Sequence, residues 1–135
     1  MVSICSHVAP PDVIYATPGH AFAVEDRTLA QRHGSRKLYE LHAWVVMPNH
    51  LHMLILLHVP LPQTTHWIKR RTAREANLLL ERTGEPFWQH ESWDHWVRNE
   101  REFQRIVAYI EENPVSAGLA GTPEGWPWSS ATSAS

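Results

Sequence analysis

An α+β fold organised around an antiparallel hairpin is what this sequence predicts, and three stretches predict it. Residues 37–46 alternate, with Tyr39, Leu41, Ala43 and Val45 on one face and Leu38, Glu40, His42, Trp44 and Val46 on the other. The run breaks at Met47-Pro48-Asn49 and resumes as HLHMLILL, His50 to Leu57, which is the signature of two strands joined by a tight turn. Farther on, Phe103, Ile106, Val107 and Ile110 recur at i, i+3, i+4 and i+7, the spacing of a helix with one buried stripe.

In chain order, residues 1–17 form an irregular segment punctuated by Pro10-Pro11, where only Val13 to Ala16 could form a short strand. Residues Gly19 to Gln31 allow a helix through Phe22, Val24, Leu29 and Ala30, ended near Gly34. After the hairpin, Pro60 and Pro62 close it, and Thr64 or Thr65 can cap a helix running to Arg82 before Gly84. Residues 85–98 (EPFWQHESWDHWVR) are too irregular to assign. The last helix starts at Asn99 or Glu100 and is expected to end at Pro114, since a proline displaces its predecessor from helical geometry. The tail, 121–135, is turn-rich and closes with small polar residues that are expected to fray.

A chain of 135 residues suits one domain with one core. No apolar run reaches the ~20 residues of a membrane span, and the start lacks the basic and apolar regions of a signal peptide. A cytoplasmic location is therefore expected. With Cys5 as the single cysteine, an intrachain disulfide and a cysteine-rich zinc site are excluded. A net charge of −2 argues mildly against nucleic acid, yet Lys69, Arg70, Arg71 and Arg74 place four cations within six residues. They form either a solvated helix face or a phosphate-gripping one. Trp88, Trp93 and Trp96, interleaved with histidines and Arg98, are either core or platforms for unpaired bases.

The chemistry centres on His50 and His52. At i, i+2 on a strand, two imidazoles stand side by side on one face. They can be two hydrogen-bonded histidines or two nitrogen ligands to one metal. On the last helix, Tyr109 falls about 60° from Ile106 and Asn113 about 40° from Tyr109, so a phenol and an amide share the border of the buried stripe. If that helix crosses the face bearing the histidines, one small volume holds two imidazoles, an amide oxygen and a phenol. Such a set leaves a divalent cation with open positions for phosphoryl chemistry, and the tyrosine would be the nucleophile.

MPNHLH, then YIEENPVSAGL, then WPWSS together resemble the REP-associated tyrosine transposases, a branch of the HUH single-tyrosine, insertion-sequence-200-like transposases. The resemblance spans residues 38–131, including WIKRRTAREAN and FWQHESWDHWVRN. It implies a ferredoxin-like antiparallel sheet with helices packed on one face. It assigns His50 and His52 as metal ligands, Tyr109 as the catalytic tyrosine and Asn113 as the residue completing the metal site. It implies Mg²⁺ or Mn²⁺, whereas imidazole softness alone would favour Mn²⁺ or Zn²⁺. The implied reaction is transesterification of single-stranded DNA carrying a palindromic-repeat hairpin, giving a 5′-phosphotyrosine and a free 3′-hydroxyl, in a bacterial, nucleoid-associated monomer or homodimer. Recognition would use Lys69, Arg70, Arg71, Arg74 and Arg98, with Trp88 and Trp93 as stacking candidates. One tryptophan is expected on DNA and the others in the core.

Relatives of this kind begin with a strand paired centrally in the sheet, and residues 1–17 supply a poor one. An unusual N-terminal pairing, or a second chain completing the sheet, is therefore expected. Two other functions are open: a catalytically silent repeat-hairpin binder, and an unrelated metal hydrolase indifferent to Tyr109→Phe.

Overall fold

The computed structural model describes residues 1–8, 32–33, 36–79, 81, 84 and 86–133. The expected strand at Val13 to Ala16 and helix at Gly19 to Gln31 lie outside them. The main sheet has four antiparallel strands: β1 (Val2–Val8), β4 (Tyr39–Val46), β5 (His50–Leu57) and β6 (Trp88–Trp96), in the order β4-β5-β1-β6. Two-residue strands β2 (Arg32–His33) and β3 (Arg36–Lys37) pair separately.

The N-terminus overturns one expectation. Val2–Val8 is the first strand, and it is central, pairing with β5 from Val2↔Ile55 to His7↔His50 and with β6 from Val2↔Trp96. The sheet is completed within one chain. Val2 and Ile4 alternate with Ser3 and Cys5, a period of two that marks a strand. Its small polar members disguise it, because a strand covered on both faces usually reads as a continuous apolar run.

Within β4 a bulge between Leu41 and Ala43 shifts the pairing and breaks the expected alternation, since an extra residue flips the faces that follow. Tyr39 and Leu41 thereby share a core with Trp44 and Val46, while Ala43 and Val45 face the other way. His42, the extra residue, is exposed against Phe103.

Two helices cover opposite faces, so the expectation of helices on one face is corrected. Helix α1 (Leu61–Leu79) sets Ile68 against Ile4, Met53 and Ile55. Its start lies ahead of Thr64, which is fully buried in the first turn, because Pro62 fits an early helical position. Helix α2 (Glu100–Ser116) sets Ile110 against Val45 and Leu54. Asn99 caps it by accepting from the Glu102 N–H at 2.8 Å. Pro114 does not end α2: it is buried inside the last turn, where one missing N–H costs a single intrahelical bond, and the chain leaves through Gly118 at φ +76°.

The tail is docked across 126–131, so the first of its closing small polar residues, Ser129 and Ser130, do not fray. Trp126 Nε1 donates to the Val46 carbonyl at 2.9 Å, the Val46 N–H donates to the Trp128 carbonyl at 2.8 Å, and Ser129 bridges Val45. The outer edge of β4 is thereby covered, as an edge strand requires. A 3₁₀ turn at Pro123–Gly125 and a short helix α3 (Ser130–Ser133) complete the docking.

Candidate active site

Strand alternation places Ser3, Cys5 and His7 of β1, His50 and His52 of β5, and Trp93 and His95 of β6 on the face that α2 crosses. Tyr109 meets that face beside His52, their ring centroids 5.8 Å apart and nearly edge-on. The phenol is 63% exposed, unlike Tyr39, which is fully buried and whose hydroxyl burial holds protonated far above its ordinary range. Tyr109 is therefore not a core tyrosine. Asn113 lies one turn farther along α2 and is half-buried.

Both histidines are held neutral. Burial lowers His50 to about 4, aided by repulsion from His7 and His52, and burial alone lowers His52 to about 4. Asn49 Oδ1 lies 2.9 Å from His50 Nδ1; an amide oxygen accepts, so Nδ1 carries the proton and Nε2 keeps its lone pair. His52 Nε2 shares a 2.6 Å hydrogen bond with the buried Ser3 hydroxyl. Neutral, oriented imidazoles are the form that ligates a cation. Among the described residues, no group of three His, Cys, Asp or Glu side chains could hold a metal. Asn113, on the helix that bears Tyr109, carries an amide oxygen. Imidazole nitrogens and an amide oxygen are donors of a kind that a divalent cation accepts.

Helix α2 is anchored by Glu102. Its buried carboxylate accepts from His95 Nε2 at 2.9 Å, the Arg98 N–H at 3.1 Å and the Arg98 guanidinium at 3.1 Å. His95, then Arg98, hold it down at about 2. Arg98, read from the sequence as a DNA contact, is thus exposed but already paired with Glu102.

The remaining sequence candidates separate from the tyrosine. Lys69, Arg70, Arg71 and Arg74 sit on α1, across the sheet. Lys69 donates to the Gln89 carbonyl at 3.0 Å, and burial lowers its pKa. Arg70, Arg71 and Arg74 line a cleft of about 220 Å³ with Trp67. A larger cavity, about 530 Å³, lies on the same side between α1 and β6, lined by residues including His66, Lys69, Trp88 and Asp94. Trp88 packs on the α1-side core and donates its indole N–H to Thr72 at 2.9 Å. Trp93 and Trp96 are 52% and 53% exposed, so two of the three tryptophans reach solvent where one was expected. Sequence reasoning missed His7, Ser3 and Cys5, because the strand that carries them was unassigned.

Comparison with known proteins identifies a family and a fold. The family model described as "Transposase IS200 like" matches residues 22–113. A REP-associated tyrosine transposase of Escherichia coli (strain K12) is 31% identical over 98 residues, covering 67% of this chain and 53% of that protein. A Haemophilus influenzae relative is 26% identical over 105 residues, covering 68% of this chain and 58% of its own length. The chain thus spans little more than half the length of these relatives. A solved structure titled as the REP-associated tyrosine transposase bound to a REP hairpin superposes with a TM-score of 0.76, covering 95% of this chain and 74% of the other at 23% identity. At that identity the superposition speaks for the fold.

Proposed function

Because this chain belongs to the IS200-like transposase family, we propose that it is a metal-dependent single-stranded DNA transesterase that recognises palindromic-repeat hairpins and cleaves and rejoins DNA through a 5′-phosphotyrosine on Tyr109. The observation that carries the reading is the exposed Tyr109 phenol set against His52 of the histidine pair. The E. coli relative is named for the same class, and the superposed structure holds a REP hairpin.

In the proposed reaction the Tyr109 oxygen attacks phosphorus in line. The phosphorus–O3′ bond breaks as the phosphorus–Oη bond forms; the phenol gives up its proton to solvent and the departing 3′-oxygen takes one up, leaving a free 3′-hydroxyl. One ester replaces another, so no external energy source is needed, and an incoming 3′-hydroxyl reverses the step. Mg²⁺ or Mn²⁺ on His50, His52 and Asn113 would supply Lewis-acid polarisation of the phosphate. The chain's own contribution is placement. Ser3 and Asn49 hold the imidazoles, Glu102 fixes the helix, and Tyr109 stands ready at the surface, where a macromolecular strand can reach it. Phosphate grip is assigned to Arg70 and Arg74, both exposed on α1.

The test is incubation with Mn²⁺ or Mg²⁺ and single-stranded oligonucleotides bearing palindromic repeats, followed by denaturing electrophoresis. A covalent adduct lost with chelator and with Tyr109→Phe supports the reading. Binding without adduct across both metals would favour the silent hairpin binder.

A further inference from the structure

We propose that Trp93, braced edge-on by His7, forms a stacking shelf for one unpaired base of the bound strand, seating the adjoining phosphate over His50 and His52; this rests on the reading of that pair and Tyr109 as the reaction centre. His7 lies opposite His50 in the β1–β5 register, and their rings stack at 5.0 Å with 25° between planes. Trp93 lies opposite Cys5 on β6 and meets His7 edge-on, at 5.1 Å and 82°. Three rings from three adjacent strands therefore run in a row that ends at a metal-binding histidine. Cys5 Sγ, 3.9 Å from His7 Nδ1, supports the middle ring.

The occupant follows from continuity with the reaction centre. Trp93 is half-exposed on the face where α2 covers chiefly β4 and β5, in ring contact with the histidine row that runs to His50. An indole offers a base a sequence-tolerant π face. The row from Trp93 to His50 is two ring contacts long, so a base on the indole lies beside the histidine pair. Trp96 is exposed to the same degree but is opposite Val2, so alternation turns it to the other face. It serves as the control.

The experiment uses the full chain carrying Tyr109→Phe, in chelator, with palindromic-repeat hairpins whose single-stranded flank holds 2-aminopurine at each position in turn. One position, beside the phosphate that the wild-type chain transfers, is expected to lose several-fold of its fluorescence on binding. Trp93→Leu is expected to abolish that quench and weaken binding about tenfold, within the range of base–aromatic stacking, while Trp93→Phe restores both and Trp96→Leu changes neither. An abasic site at that position is expected to cost the same, with no further loss in Trp93→Leu. Quenching that survives Trp93→Leu, or additive losses, would overturn the shelf even where the wild type still forms its adduct. Stacking in a chain that forms no adduct would uphold the shelf and sink the chemistry. Failure to bind any such hairpin would overturn both.

Discussion

Tyr109 stands largely in solvent where Tyr39 is fully buried, and burial lowers the pKa of both His50 and His52. Tyr109→Phe removes a hydroxyl that is largely in solvent, so stability should stay within about 0.5 kcal/mol. DNA affinity should change less than about twofold, while the covalent adduct disappears; thermal melts and electrophoresis check both halves. His50 and His52 titrate near 4 in the folded chain rather than near the ordinary 6.5. The folded state therefore binds fewer protons than the unfolded one between these values. Their contribution to stability is complete above about pH 6.5, declines as pH falls toward 4 and is flat below that. Imidazole resonances followed by NMR should show both rings still neutral at pH 5.5; midpoints near 6.5 would contradict the burial argument. At this scale the site was legible in part. The pair and the tyrosine follow from spacing, whereas His7 becomes visible only when β1 is laid beside β5.

The elements show how the tyrosine is held. Glu102→Gln keeps the shape but loses the charge that His95 and Arg98 grip, so melting temperature and adduct yield should both drop. With Glu102 at about 2 instead of 4.5, its stabilisation is present above about pH 4.5 and is lost as pH falls toward 2. A loss of stability between about pH 4.5 and 2 that survives in Glu102→Gln would assign that limb elsewhere. The tail is a second clamp: Ser130 Oγ accepts from the Trp44 N–H at 3.0 Å and donates to Glu111 at 2.9 Å, so Ser130→Ala should cost about 1 kcal/mol or somewhat more in denaturant titration. Removing residues 126–135 uncovers the β4 edge and should produce concentration-dependent association, read by light scattering. The hairpin and the stripe of α2 were readable because each is a local periodicity. The Leu41–Ala43 bulge, the passage of α2 through Pro114 and the docking of WPWSS were not, because each depends on a partner distant in sequence.

For the whole molecule, β1 decides integrity and the division of faces decides function. Deleting residues 1–8 separates β5 from β6 and should abolish cooperative unfolding, since the central ladder carries Val2 and Ile4 into the core. Arg70 and Arg74 lie on the helix across the sheet from Tyr109. Arg70→Ala with Arg74→Ala should therefore weaken DNA binding and reduce its salt slope by about 1 to 2, while leaving the rate of adduct formation at saturating DNA unchanged. A lost rate at saturation would place α1 inside the reaction centre.

The sequence by itself determined the hairpin, the pairing of His50 with His52, the amphipathic helix bearing Tyr109 and Asn113, and the family they announce. These are written in periodicities of two and 3.6 residues that neighbouring positions set. Only the tertiary structure decided that Val2–Val8 is the middle strand, that α1 and α2 take opposite faces, that the basic helix stands away from the tyrosine, and that His7 and Trp93 join the histidine row. Each is a matter of which strands lie side by side, and lateral strand order is set by burial and hydrogen bonding across the whole sheet.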